Sequence, residues 1–322
     1  MSRIRVGVLR GGPSSEYEVS IKSGGSVLRN LPTHFEGKDI FIDRSGVWHL
    51  NGLPRDVSEI SQHVDVVFNA LHGQYGEDGG VQRDLERHGI RYTGSKVFPS
   101  ILGMNKRLSK EKFKEAGIKT PMVYYCSGGC SVDGVVRDVH QMSAPPYIVK
   151  PISAGSSVGV KKAHTIQELA LIVGDVLDEW NEVMVEECIL GKEATCGVIE
   201  DFRDTKHYSL LPVEIIPPKD NKFFDYHAKY SGVSREVCPG CFSDEEKEMI
   251  QHYARVAHDS IGARHYSRSD FMIHPKRGVF ILELNTLPGL TEESLLPKSL
   301  TAIGSSMSHF LDHVIQSALY KS

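Results

Sequence analysis

The chain of 322 residues is 40% hydrophobic, with 37 Lys and Arg against 41 Asp and Glu and a net charge of −4. That length supports two or three packed domains, and a near balance of charge without a basic block argues against a nucleic-acid partner. No apolar stretch approaches the roughly 18 residues that cross a bilayer, and the N-terminal residues enter a strand pattern without a signal-peptide core, so a cytoplasmic protein with no membrane partner is expected. Six cysteines are too few for a disulfide framework in a chain this long, and free thiols are expected.

In chain order, residues 3–9 form an apolar, β-branched run, Gly11-Gly12-Pro13 turns, and Glu18 to Leu28 can wind as a helix. Val64 to Ala70 is a second buried-strand run, followed by a glycine-dense loop, Leu71 to Gly80. Loops at strand C-termini carry ligands in such α/β sheets. Asn105 can cap a helix over Lys106 to Ala116 that Gly117 terminates. Next come a strand ending at Lys150, a Gly/Ser loop over Ser153 to Val160, a helix from Thr165 to Trp180 and a strand over Val183 to Glu186. Val213 to Ile216 reads as strand. The polar, aromatic stretch Pro217 to Pro239 is too long for an ordinary connection and is a candidate lid. Ser243 and Glu246 form a capping box for a helix with Ile250, Tyr253, Ala257 and Ile261 on its apolar side. Met307 to Tyr320 closes the chain as a helix. The order gives an α/β (α+β) protein in three units: an N-terminal domain over 1–104, a central subdomain over 105–190 and a C-terminal subdomain over 191–322.

The densest chemistry lies near the C-terminus. Asp270 and Glu283 sit in two apolar runs flanking the turn-rich His274-Pro275-Lys276-Arg277-Gly278, which favours a hairpin. Pairing Asp270 with Glu283 predicts Phe271 opposite Leu282 and Ile273 opposite Phe280, with Asp270, Glu283 and Asn285 on the other face. Three hard oxygen donors suit Mg2+ or Mn2+, ions that usually also grip substrate phosphates. The small residues after Lys150 leave backbone N–H groups free to approach a polyphosphate, and Lys150 and Lys106 are placed to neutralise it.

Five segments carry a resemblance across nearly the whole chain: Gly11 to Ser20, Ala70 to Gly73 with Gly76 to Gly79, Lys150-Pro151 with Gly155 to Gly159, Asp225 to Tyr230, and Glu283 to Gly289. The sequence resembles the ATP-grasp ligases and, within them, the D-alanine:D-alanine ligase family. The resemblance implies a Rossmann-like open sheet followed by two α+β subdomains that sandwich ATP. It also implies ligation of two D-alanine molecules through a D-alanyl phosphate for peptidoglycan synthesis, in a homodimer.

As the resemblance implies, Lys106, Lys150, Ser157 and Lys229 hold the ATP phosphates, while Glu186, Glu187, Ile189 and Glu193 line the adenine and ribose pocket. Asp270, Glu283 and Asn285 bind two Mg2+ or Mn2+ ions. Glu16 meets the ammonium of the first D-alanine through a network with Ser156 and Tyr230, with His72 nearby. Arg268 and the Gly289 N–H stabilise oxyanion charge, and Ser294 with the Leu295 N–H holds the carboxylate of the second D-alanine. His227 and Asn105 stand where the family more often has acidic residues, and Tyr230 favours an amine as second substrate.

Overall fold

The computed structural model describes residues 3–153, 159–217 and 235–320. Among these, three sheets form. The first has the order β4-β3-β2-β1-β5, built from β1 (Ile4–Gly11), β2 (Phe35–Ile42), β3 (Trp48–Leu50), β4 (Leu53–Pro54) and β5 (Val66–Asn69). Strand β1 is parallel to both β2 and β5, whereas β3 and β4 return antiparallel. Alternation along β1 sends Val6 and Val8 to one face and Leu9 to the other, and all three are fully buried. Gly11, at φ 92°, could not carry a side chain, because a Cβ would lie 2.2 Å from the Ile42 carbonyl oxygen. Helices α1 (Tyr17–Asn30), α2 (Val57–Ile60), α3 (Gly80–Arg87) and α4 (Val97–Met104) complete this region.

The central sheet is antiparallel, in the order β6-β9-β7-β8: β6 (Val123–Ser127), β7 (Tyr147–Pro151), β8 (Lys161–Ala163) and β9 (Glu182–Glu187). Helices α6 (Val132–Met142) and α7 (Ile166–Glu179) cover one face, where Val135, Val139, Leu169 and Val173 pack on Val149 and Val185. Before them α5 (Lys106–Glu115) is capped by Asn105, whose side-chain oxygen accepts from the Arg107 and Leu108 N–H groups at 3.1 Å each. An asparagine therefore does the capping an aspartate would do, without the charge.

The third sheet runs β13-β12-β10-β14-β15, with β11 also on β10. Its strands are β10 (Lys192–Phe202), β11 (Thr205–Ser209), β12 (Val213–Ile216), β13 (Arg235–Val237), β14 (Tyr266–His274) and β15 (Gly278–Asn285). Helix α8 (Asp244–Ser260) packs across it, and both halves of the Ser243/Glu246 capping box are made. Helices α9 (Leu295–Ala302) and α10 (Met307–Tyr320) follow. Phe310, Leu311 and Val314 of α10 share a core with Val6, Val8 and Phe68 of the first sheet and Ile199 and Tyr266 of the third. The last helix thus locks the N-terminal sheet to the C-terminal one.

The hairpin forms with Asp270 opposite Glu283, but the predicted pairing beyond it is wrong. Phe271 pairs with Ile281 and Ile273 with Val279, because a bulge between Asp270 and Phe271 shifts the register. The extra residue is Leu282, which turns with Glu283 toward the same cleft rather than to the opposite face. Of the candidate lid, Arg235 to Val237 is strand β13, and residues 218–234 lie outside the described residues. No helix among the described residues is long and apolar enough to cross a membrane.

Candidate active site

The central and third sheets face each other across a cleft of about 390 Å³. Ile148, Lys150 and Glu186 project into it from β7 and β9, while Tyr147, Val149 and Val185 fill the core behind. Glu193 of β10, Asp270 and Met272 of β14, and Leu282 and Glu283 of β15 line the opposite wall. The connection from Glu187 through Ile189 closes the end. Eight residues picked out in the sequence, Lys106, Lys150, Glu186, Glu187, Ile189, Glu193, Asp270 and Glu283, therefore meet in one cleft.

Its charge is organised around a buried cluster. Glu186, 2% exposed, takes Lys150 Nζ on one carboxylate oxygen at 2.7 Å and Lys110 Nζ on the other at 2.6 Å. Burial pushes the Glu186 carboxyl up, but the two ammonium groups outweigh it and hold it below its usual range. Burial pushes Lys110 down to about 8, against the pull of Glu186. Two lysines on one carboxylate leave a surplus of positive charge in a poorly hydrated wall, which favours an incoming anion. Sequence reading missed Lys110. The available signal was its spacing, since it lies four residues after Lys106 and so on the same face of α5.

Glu187 is committed differently. Arg277, in the β14–β15 turn, donates to its two oxygens at 2.7 and 2.8 Å, and the Met122 N–H adds a third bond at 2.9 Å. Burial raises the Glu187 carboxyl, and Arg277 with that N–H more than reverses it. The pair tethers the central sheet to the C-terminal hairpin. Neither residue's partner was legible, because 90 residues separate them.

Beyond the cleft the polar chain continues. Asp270 accepts from Arg268 Nε at 3.0 Å and Nη2 at 2.9 Å, from Thr195 Oγ1 at 2.6 Å and from Asn285 Nδ2 at 3.3 Å. Asp270, Asn285 and Arg268 thus share a face, as the pairing of Arg268 with Asn285 requires. Glu283 lies 4.0 Å from Lys106 Nζ. After Asn285 the chain reaches back to the first sheet, where the Leu287 carbonyl accepts from His72 Nδ1 at 3.0 Å. Ser23 Oγ sits 2.8 Å from His72 Nε2 and accepts from the Leu290 N–H at 3.4 Å. Burial opposes charge on His72, but Glu77, 3.5 Å away, and Glu16 outweigh it and raise its pKa.

Glu16 stands at the start of α1 with its Oε1 over Gly73, where a Cβ would come within 3.2 Å. Ser14 fixes this approach by donating to the His72 carbonyl at 2.6 Å and accepting from the Glu16 N–H at 3.1 Å. Gly289 faces Ser294, whose Oγ accepts from the Thr291 N–H at 3.1 Å, and Ser294 precedes Leu295 at the start of α9. The structure brings Glu16 and His72 together, and links Arg268, Asp270 and Asn285. Ser156, Ser157, His227, Lys229 and Tyr230 lie outside the described residues.

Known proteins share this fold. The architecture is that of the ATP-grasp ligases. Over 98% of this chain and 100% of the other it matches the VanG D-Ala:D-Ser ligase of Enterococcus faecalis, with 30% identity and a TM-score of 0.87. It likewise matches the D-alanine–D-alanine ligase of Bacillus anthracis, whose structure was determined in complex with ATP. That match has 30% identity and a TM-score of 0.82 and covers 98% of this chain and 97% of that one.

The model of the D-ala D-ala ligase C-terminus matches residues 113–316, and that of the N-terminus matches 5–61 and 51–95. The D-alanine–D-alanine ligase of Desulfotalea psychrophila is 36% identical, over 99% of this chain and 96% of its own length. That of Syntrophobacter fumaroxidans is 37% identical over 98% of both. The chain belongs to the D-alanine–D-alanine ligase family, whose role is ATP-dependent ligation for cell-wall precursor synthesis.

Proposed function

We propose that this chain uses ATP to activate the carboxylate of one D-alanine as an acyl phosphate and joins it to the amine of a second. The products are D-alanyl-D-alanine, ADP and phosphate. One observation carries the reading: Lys106 and Lys150 face Asp270 and Glu283 across a single cleft, with Arg268 bonded to Asp270. A carboxylate is a poor acyl donor and is repelled by a phosphate chain, so cations at the cleft wall lower the barrier to its attack on the terminal phosphate.

In this reading Lys106 and Lys150 bind the phosphates, and Glu186, Glu187, Ile189 and Glu193 bound the nucleoside end. Glu16, beside His72, receives the ammonium of the first D-alanine. Arg268 and the Gly289 N–H face the oxyanion, and Ser294 with the Leu295 N–H takes the carboxylate of the second. Ser156, Ser157, Lys229 and Tyr230 extend the same assignment.

Asp270, Glu283 and Asn285 fit Mg2+ or Mn2+. Their donors are carboxylate and amide oxygens without thiol or imidazole, and Asn285 directs its N–H at Asp270, which leaves its amide oxygen for an ion. Two such ions would supply positive charge against the phosphate oxygens. Three units over 1–104, 105–190 and 191–322, a cytoplasmic homodimer and a role in peptidoglycan synthesis belong to the same reading. Phosphate release with ATP, Mg2+ and D-alanine as sole amino acid tests it. Steady release with dipeptide formed is expected, and release only after D-serine or another second substrate is added would reassign the product.

A further inference from the structure

A second cluster of chemistry lies at the far end of β10, away from the cleft. Glu200 of β10 is the direct cross-strand partner of His207 on β11, so both side chains leave the same face of the hairpin. His258 reaches them from the last turn of α8. One ligand atom from each residue lies within 4.8 Å of the other two, and no other group of three His, Cys, Asp or Glu side chains among the described residues does this.

We propose that Glu200, His207 and His258 form a binding site for a divalent transition-metal ion of the Zn2+ type.

Three observations support it. First, His258 is fully buried, and its Nε2 has no hydrogen-bond partner among the described residues. That atom points at Glu200 Oε1 from 3.6 Å, too far for a hydrogen bond and in the range of two ligands on one ion. Second, the opposite atoms are already held. His258 Nδ1 bonds Ser267 Oγ at 2.7 Å, which leaves Nε2 to face the site, and Glu200 Oε2 accepts the His265 N–H at 2.6 Å, which leaves Oε1. Such outer partners orient the ligands of protein metal sites.

Third, access exists: His207 lines an open cavity of about 360 Å³. Arg255, which also lines that cavity, donates to Ser209 Oγ at 2.6 Å. Asp259 adds negative charge 3.9 Å from His207 Nε2.

Ligand atoms around tetrahedral zinc stand roughly 3.3 Å apart, so separations that all lie within 4.8 Å here must close by at most roughly 1.5 Å. His207, half-buried on the short strand β11, supplies this by side-chain rotation. Glu200, His207, His258 and water would complete a four-coordinate site of nitrogen and oxygen donors. The ion would staple the β10–β11 hairpin to α8.

The test titrates the full-length protein with Co2+ under excess Mg2+, which occupies the cleft acids. The exposed thiols are first removed by Cys130→Ser and Cys241→Ser. The expected result is one equivalent of Co2+ with visible ligand-field bands and no sulfur charge-transfer band, displaced by Zn2+. His207→Ala should weaken that binding at least tenfold while leaving the protein folded and its ATP-dependent phosphate release unchanged. Glu200→Gln, which keeps the shape of the side chain, should weaken it similarly. No Co2+ uptake, or uptake equal in His207→Ala and Glu200→Gln, would overturn the assignment.

Discussion

The tether between Glu187 and Arg277 gives a sharp prediction. Arg277→Ala removes two charge-assisted hydrogen bonds of 2.7 and 2.8 Å from a carboxylate whose side chain is 8% exposed. Such bonds contribute about 1.5–3 kcal/mol each when buried, but the arginine side chain is 43% exposed and solvent screens much of that. The Met122 N–H still holds the carboxylate. A loss of about 2 kcal/mol follows, which for a cooperative unit of 322 residues lowers Tm by roughly 3 °C. Because Glu187 and Ile189 line the cleft, slackening the tether should raise KM for ATP roughly fivefold, about 1 kcal/mol, with little change in kcat. The assays are thermal melting and initial rates against ATP. Adding Glu187→Gln to Arg277→Ala should restore part of the melting temperature, since the stranded charge is then gone. The reasoning is refuted if Arg277→Ala melts within 1 °C of the parent and keeps KM within twofold.

Further outcomes follow from the same geometry. Lys150→Ala should weaken ATP binding by calorimetry at least tenfold, and Glu283→Gln should raise the Mg2+ concentration needed for half-maximal rate. Unchanged values in both variants would remove the phosphate and metal assignments. Gly289→Ala places a Cβ 2.8 Å from Ser294 Oγ, so kcat/KM for D-alanine should fall on the order of tenfold without loss of fold. For pH, the buried His265 accepts the Gly94 N–H through Nδ1 at 2.9 Å, and burial with Arg264 pushes it down to about 4. The unfolded chain, with its ordinary value near 6.5, then binds the proton first. Stability should fall as pH drops from about 6.5 to 4, by up to about 1.4 kcal/mol per unit. His265→Asn, which tolerates the positive φ of 65°, should flatten that slope in melts across the window.

What the sequence disclosed depended on whether the signal was local. Caps at Asn105 and Ser243/Glu246 and the apolar runs of β5 and β12 are local, and they appear where expected. The Asp270–Glu283 pairing was legible from two runs and a turn, but the bulge at Phe271 was not. One added residue leaves composition intact and changes only which face follows. Strand β2, Phe-Glu-Gly-Lys-Asp-Ile-Phe-Ile, and strand β10, with Thr, Cys and Gly among its buried positions, lack a clean period and passed unread. Helix α6 was missed between two segments that were read. At the site, lysines at the ends of elements stood out. The ion pairs that hold them, Lys110–Glu186–Lys150 and Glu187–Arg277, join elements far apart in sequence and needed the fold.

The central claim is that a D-alanine carboxylate oxygen attacks ATP in this cleft. Supplying D-alanine with an 18O-labelled carboxylate, together with ATP and Mg2+, and measuring the released phosphate by mass spectrometry tests it directly. Transfer of one 18O to each phosphate formed by ligation is the predicted result. Unlabelled phosphate accompanying dipeptide formation would contradict it.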